Sequence, residues 1–332
     1  MQPFEYMRVD NLEAALDAIS HATRAKFIAG GTNLVDVMKQ YVEMPEQLIY
    51  IDRIDLGKIE ELPDGGLRLG ALARNSDTAD HPLVRERYPM LAQALYSGAS
   101  PQLRNRATNG GNLLQRTRCY YFYDPAFPQC NKRNPGSGCG AIEGYNRIHA
   151  ILGASPECIA THPSDMCVAL AALDAQIRVR SQRCERTIPF SELHRLPGNQ
   201  PEIDTNLRRD ELILSIDLPR GPYAEHSIYV KVRERASYAF ALVSVAAAIE
   251  LNHGTIRTAR LALGGVAHKP WRSRKAEALL VGQTPGREAW LAAANEILSG
   301  AKGYEHNAFK IAMTRQTIVR AFTLAAGNGE QA

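Results

Sequence analysis

Two glycine-bearing turns and four grouped cysteines are the parts of this 332-residue sequence whose types and spacing could do chemistry. In KFIAGGTNLVDVMKQ, Phe27, Ile28 and Ala29 predict a short buried strand and Gly30-Gly31 a forced turn. Asn33 onward predicts a helix carrying Leu34, Val35, Val37 and Met38. Such a junction presents successive backbone N–H groups at a helix start, which suits a phosphate. A β-carbon on either glycine would keep an anionic oxygen away from the backbone, while Thr32 and Asn33 add side-chain donors. ATNGGNLL offers a second turn of the same chemistry through Thr108, Asn109, Gly110, Gly111 and Asn112. Gly-Gly by itself is an ordinary turn. Two such turns, each flanked by apolar runs, could grip both phosphates of a dinucleotide such as FAD. Residues 136–141, GSGCGA, satisfy G-x-G-x-x-A by letter, but the polar CNKRNP precedes them where a strand must be, so a nicotinamide fingerprint is dismissed.

Cys119, Cys130, Cys139 and Cys158 are separated by 10, 8 and 18 residues, with proline and glycine between them. Two disulfides, a structural zinc and an iron–sulfur cluster all compete for this quartet. Finger-type zinc sites carry a tight C-x₂₋₄-C pair, which is missing here. Disulfides need an oxidising compartment, and the N-terminus has no basic head followed by an apolar run. Four thiolates can hold a [4Fe–4S] cube, although the familiar C-x₂-C spacing is also missing. From Ser100 to Arg118 there are four arginines (Arg104, Arg106, Arg116, Arg118) and no acid, and Lys132 and Arg133 follow Cys130. Those cations would offset an anionic cluster or a dinucleotide, or form a solvated basic loop. Cys167 and Cys184 read as structural or incidental.

The elements that must position these groups follow from periodicity. Residues 11–20 predict a helix capped by Asp10 or Asn11, and QLIYID a second strand, so the first fifty residues form a small α/β unit. A hairpin is expected over 58–73 around Asp64-Gly65-Gly66, then a helix over 83–98. Residues 115–160 lack sustained periodicity, and so long a connection is rare unless something organises it. A helix at 164–173 and strands near 175–181 and 212–218 come next. LPRGPYAEHS, 218–227, is the domain boundary, and beyond it strands and two amphipathic helices, 287–299 and 306–326, predict a smaller α+β domain. With 39 Lys+Arg against 35 Asp+Glu the net charge is +4, which does not announce a nucleic-acid binder. No apolar stretch reaches the ~20 residues of a membrane span.

Taken together these residues resemble the FAD-binding subunit of the xanthine oxidase family of molybdenum hydroxylases, over essentially the whole chain. KFIAGGTNL and ATNGGNLL look like that family's two FAD loops, IATHPSDM like its next flavin-contacting turn, and ELILSIDLP with KVRERASYA like later flavin-side segments. The cysteine insertion, with QRTRCYYFYD, NKRNPGSGC and ECIATHPSDM, resembles bacterial aldehyde oxidoreductase flavoprotein subunits that carry an additional [4Fe–4S] cluster. The resemblance implies an α+β fold. It would comprise a two-subdomain FAD-binding domain of the PCMH or vanillyl-alcohol-oxidase type, residues 1–222 (subdomains 1–55 and 56–222, insertion 115–160), plus a smaller C-terminal α+β domain, 223–332.

The resemblance puts Lys26, Phe27, Ile28, Ala29, Gly30, Gly31, Thr32, Asn33 and Leu34 around the FAD phosphates, and Thr108, Gly111 and Asn112 on the second loop. It sets Asp165 on ribityl or ribose hydroxyls, His162 beside the flavin, Ile213 against the isoalloxazine, and Lys231 at the N1/O2 edge, where a cation stabilises the anionic reduced flavin. Asp165 could equally cap the helix behind Ser164, Lys231 could be an exposed strand residue, and His162 a structural one. Cys119, Cys130, Cys139 and Cys158 become cluster ligands. Gly98 stands where eukaryotic relatives stack a Phe on the flavin. The implied function is the flavin subunit of a heterotrimeric aldehyde oxidoreductase, with a small [2Fe–2S] subunit, a large molybdenum-cofactor subunit and an external electron acceptor as partners. The implied location is periplasmic, by export on a partner's signal, with the cytoplasm as the alternative. The other readings are an aryl-CoA reductase flavoprotein subunit and a zinc-stapled, non-redox binding module.

Overall fold

The computed structural model describes residues 1–327, so the last five positions of the expected C-terminal unit lie outside the described residues. Strands β1 (Glu5–Arg8), β2 (Ala25–Ile28) and β3 (Gln47–Tyr50) form a parallel sheet in the order β1-β3-β2. It is parallel because each crossover is a helix: Leu12–His21, then Leu34–Lys39. Asn11 caps the first, its Oδ1 accepting from Ala14 N at 2.9 Å. Ala15, Leu16 and Ile19 lie on one helical face and are buried against Ile49 and Ile51.

The second sheet is antiparallel: β4 (Ile59–Glu61), β5 (Leu67–Gly70), β6 (Gln176–Arg180), β7 (Glu185–Pro189) and β8 (Leu212–Leu218), in the order β4-β5-β8-β6-β7. The expected hairpin turns at Gly65, whose φ of 81° requires glycine, and Asp64 Oδ1 accepts from Gly66 N. The helix expected over 83–98 is two, Pro82–Arg87 and Pro89–Ser97, because Pro89 has no N–H to continue the first and starts the second. ATNGGNLL, expected as a turn, contains a short helix, Asn109–Leu113, with Thr108 as its cap.

The third sheet joins β9 (Ser227–Val232), β10 (Val243–Asn252), β11 (Thr255–Gly264) and β12 (Trp271–Arg272) in the order β12-β11-β10-β9. Alternation along β10 decides its neighbours. Val243, Val245, Ala247 and Ile249 face a core closed by helices Arg287–Ile297 and Phe309–Ala325, where Trp290 stacks on Phe322 at 4.9 Å. Ala246 and Ala248 face the opposite way, into the core of the second sheet and helix Asp165–Ala172. The C-terminal sheet is thereby buried on both faces. Residues 115–163 hold only one short helix, Tyr120–Tyr123, and otherwise run through turns. Among the described residues no helix is long and apolar enough to cross a membrane.

Candidate functional site: a dinucleotide cleft beside a cysteine quartet

The carboxyl end of β2, where parallel strands present their ligands, opens into a cleft of ≈1430 Å³ bordered by β2 of the first sheet, Lys231 of the third, and the loops and short helices between them. That exceeds the roughly 300–1,000 Å³ of an ordinary small-molecule pocket. Every flavin-side residue expected from sequence lines it except Ile213. The two turns therefore face one space. What holds them together differs from the expectation. A Cβ on Gly30 would fall 2.1 Å from the Arg106 carbonyl oxygen, so that glycine lets one turn lie directly against the backbone leading into the other. Gly31 has φ 72° and lies in the left-handed region open to glycine. The second turn is seated by backbone bonds from Asn109 N to Ala73 O and Gly110 N to Ala71 O.

Several expected ligand donors are already engaged. Thr108 Oγ1 accepts from Gly111 N at 3.3 Å. Asn33 Oδ1 accepts from Arg116 N at 2.8 Å, and its Nδ2 reaches the Tyr123 hydroxyl at 3.3 Å, tying the first turn to the cysteine segment. Asn112 bonds Asn75, Gln115 and Ser164. Side chains thus set the shape of the cradles.

Ser164, not Asp165, caps helix Asp165–Ala172, its Oγ accepting from Cys167 N at 3.1 Å. Asp165 Oδ2 lies 2.8 Å from Lys231 Nζ, and its Oδ1 accepts from the Tyr229 hydroxyl at 2.6 Å. Lys231 also donates to Ser97 O at 2.9 Å. Its side chain is 4% exposed, so it is a buried ion-pair partner on the cleft wall rather than an exposed strand residue. Gly98 borders the same wall. His162 Nε2 meets His194 Nε2 at 3.1 Å, and His194 Nε2 lies 2.8 Å from Leu113 O. Burial holds His194 down at about 4, so it is neutral at pH 7. His162, His194 and Cys167 gather within 4.8 Å, but the Leu113 carbonyl uses the His194 nitrogen as a donor rather than leaving it for a metal.

Ile213 lies on β8 opposite Val179, is buried in the core of the second sheet and does not line the cleft. Nearly every position of LILSIDL is buried, so its pattern does not tell which face meets the cleft. Sequence reasoning passed over Asp204 and His268, which converge with Arg116 and Lys132 from four segments. Lys132 Nζ donates to Asp204 Oδ1 at 2.5 Å, and Arg116 Nε sits 2.8 Å from Asp204 Oδ2. His268 Nε2 is 3.7 Å from Asp204 Oδ1. Burial alone would raise the Asp204 carboxyl, but the Lys132 and Arg116 charges outweigh it and hold the group well below the usual carboxylate range. Three of the four arginines in the run are likewise compensated: Arg106 meets Asp52, Arg116 meets Glu43 and Asp204, and Arg118 meets Asp36. Only their distance in sequence hid these acids.

Cys119, Cys130, Cys139 and Cys158 line one small cavity and share an apolar cluster with Phe122, Ala141 and Ile159. All six cysteines are free thiols. Cys130 and Cys139 are backbone-bridged, and Arg133 binds the Tyr121 and Phe122 carbonyls at 2.7 and 3.0 Å, closing the loop on itself. Burial pushes the Cys119 thiol up to about 12, an environment in which a bound cation, not water, must stabilise a thiolate. Four sulfurs around one cavity fit a metal centre.

Residues 2–221 match the family model described as FAD binding domain in molybdopterin dehydrogenase, and residues 228–325 that described as CO dehydrogenase flavoprotein C-terminal domain. The aldehyde oxidoreductase FAD-binding subunit PaoB of Escherichia coli (strain K12) is 49% identical over 320 residues, 96% of each chain. The glyceraldehyde dehydrogenase medium chain of Sulfolobus acidocaldarius is 27% identical, covering 84% of this chain and 82% of its own. A carbon monoxide dehydrogenase structure from Hydrogenophaga pseudoflava superposes with a TM-score of 0.77 at 26% identity, over 98% of both chains.

Proposed function

Because this chain belongs to the FAD-binding subunits of the xanthine oxidase-family molybdenum hydroxylases, we propose that it is the FAD- and [4Fe–4S]-carrying electron-transfer subunit of a heterotrimeric aldehyde oxidoreductase. Aldehyde would be oxidised to carboxylic acid on a large molybdenum-cofactor subunit. Electrons would reach this chain through a small [2Fe–2S] subunit and leave for an external acceptor. The observation that carries the reading is 49% identity, across 96% of both chains, to a subunit named for aldehyde oxidoreductase. Bound FAD supplies the exchange between two-electron and one-electron chemistry. This chain's part is to seat the dinucleotide between its two turns, to keep a buried Lys231–Asp165 pair on the cleft wall, and to exclude water around it.

The spread of the four sulfurs supports a cluster over a single zinc. A zinc with Zn–S bonds of about 2.3 Å draws its sulfurs to about 3.8 Å of one another. Among the described residues, no three of these four gather within 4.8 Å. A periplasmic location, reached by export with a partner subunit, belongs to the same proposal. Optical spectroscopy with metal analysis tests it: purified protein should show flavin bands over a broad iron–sulfur shoulder and contain about four irons per chain. Cys119→Ser should remove the iron and largely spare FAD. Colourless protein with one zinc would refute the reading. Turnover of aldehydes, and not of aryl-CoA thioesters, by the assembled complex tests the reaction.

A further inference from the structure

His149 lines neither the flavin cleft nor the cysteine cavity, yet it is 1% exposed and its Nε2 lies 3.1 Å from the Cys119 sulfur. Tyr120 and Tyr121 confine the ring, each with its centroid 6.2 Å away. Nδ1 has no partner. A neutral imidazole carries one proton, and the contacts decide where it sits. With the proton on Nδ1, a buried N–H would go unpaired and a nitrogen lone pair would face the sulfur. With the proton on Nε2, the ring donates to the sulfur and only an acceptor is left over. The geometry selects the second.

The ring's place is fixed from outside the cysteine segment. The His149 carbonyl accepts from Lys310 Nζ at 2.8 Å and from Asn307 Nδ2 at 3.2 Å. Lys310, fully buried, begins the long C-terminal helix. The His149 N–H donates to Asn146 O at 3.0 Å, and the Asn146 side chain in turn accepts from His306 N. The C-terminal domain thus holds this imidazole against the Cys119 sulfur.

Resting on the [4Fe–4S] reading, we infer that His149 is a positioning residue for the cluster. It donates its Nε2 proton to the Cys119 thiolate, draws electron density from that sulfur, and raises the reduction potential of the bound cluster relative to the flavin. A hydrogen bond to a charged acceptor is about twice as strong as a neutral one, enough to move an equilibrium about tenfold.

EPR-monitored redox titration of the full-length chain, purified with its cofactors, tests this. In His149→Leu the iron content and flavin midpoint should stay as in wild type. At the potential where the wild-type cluster is half reduced, its oxidised-to-reduced ratio should rise about tenfold, which is about 59 mV for one electron. His149→Gln, which keeps an N–H donor, should recover part of the change. An unchanged ratio with iron retained would overturn the inference. If the leucine variant cannot hold iron, wild-type chain labelled with ¹⁵N-histidine decides: pulsed EPR of the reduced cluster should show coupling to a histidine nitrogen, and its absence overturns the role. A wild-type chain with FAD but no iron refutes the cluster reading itself, before any variant is made.

Discussion

Asp165 and Lys231 enter through the resemblance as separate flavin-side expectations, and the sequence does not announce them as partners of each other. They are 66 positions apart, one opening a helix and the other on the edge strand of a different sheet, and no local spacing signals their meeting. Their exposure of only 7% and 4% makes the pair costly to break. Removing one charge leaves the other desolvated and unmatched, a penalty of about 3–5 kcal/mol, whereas removing both releases it. Asp165→Asn and Lys231→Met should each lower the unfolding free energy by that order, and the double variant should be more stable than the sum of the two predicts. Denaturant unfolding of the four proteins measures the coupling; strictly additive losses would mean the pair does not hold the wall. The Gly-Gly turns were readable because two of them occur in one chain, each beside an apolar run. What the sequence could not tell is that Gly30 is pressed by the Arg106 carbonyl rather than kept clear for an anion.

At the scale of elements, the segment from 115 to 163 illustrates where local signals end. Its cysteines were plain, but its order comes from long-range bonds: Asn131 to Glu157, Lys132 to Pro201 O, and the Lys310 ammonium to the carbonyls of residues 148, 149 and 265. Periodicity predicts a helix over 306–326, found as Phe309–Ala325, but says nothing of its second residue, Lys310. It is fully buried, and burial lowers its pKa from 10.5 to about 7. The unfolded chain then binds more protons than the folded one between pH 7 and 10.5. Stability contributed through this group therefore rises with pH across that window and is flat below it. Lys310→Met should abolish that rise. Unfolding free energies of both proteins at pH 7, 8.5 and 10 check it; parallel curves would show that the amine is not desolvated. The same helix carries its apolar face onto β10, so one element closes a core and braces the cysteine segment.

For the molecule as a whole, Asp204 is the joint between its two candidate centres. Its carboxylate meets Arg116 and His268, which border the dinucleotide cleft, and Lys132, which borders the cysteine cavity. Lys132 is 1% exposed and Asp204 26%, so the pair is shielded far more than a surface bridge. Because the folded-state pKa of Asp204 is depressed, its stabilisation is fully present above the ordinary carboxylate value of 3.8 and is lost as pH falls through the lower folded value. Acid should therefore loosen the cleft and the cysteine segment together rather than in sequence. In wild-type protein, release of FAD and of iron should share one midpoint on the acid side. Asp204→Asn leaves Lys132 as a buried, unmatched cation while Arg116 keeps Glu43, so at pH 7 it should cost about 3–5 kcal/mol. It should also flatten the acid limb, since the group that titrates is gone. Following flavin fluorescence and iron release across pH in both proteins separates the possibilities. Two distinct midpoints in wild type would mean that Asp204 holds only one of the centres, and an acid limb of unchanged steepness in the variant would assign acid sensitivity to other carboxylates.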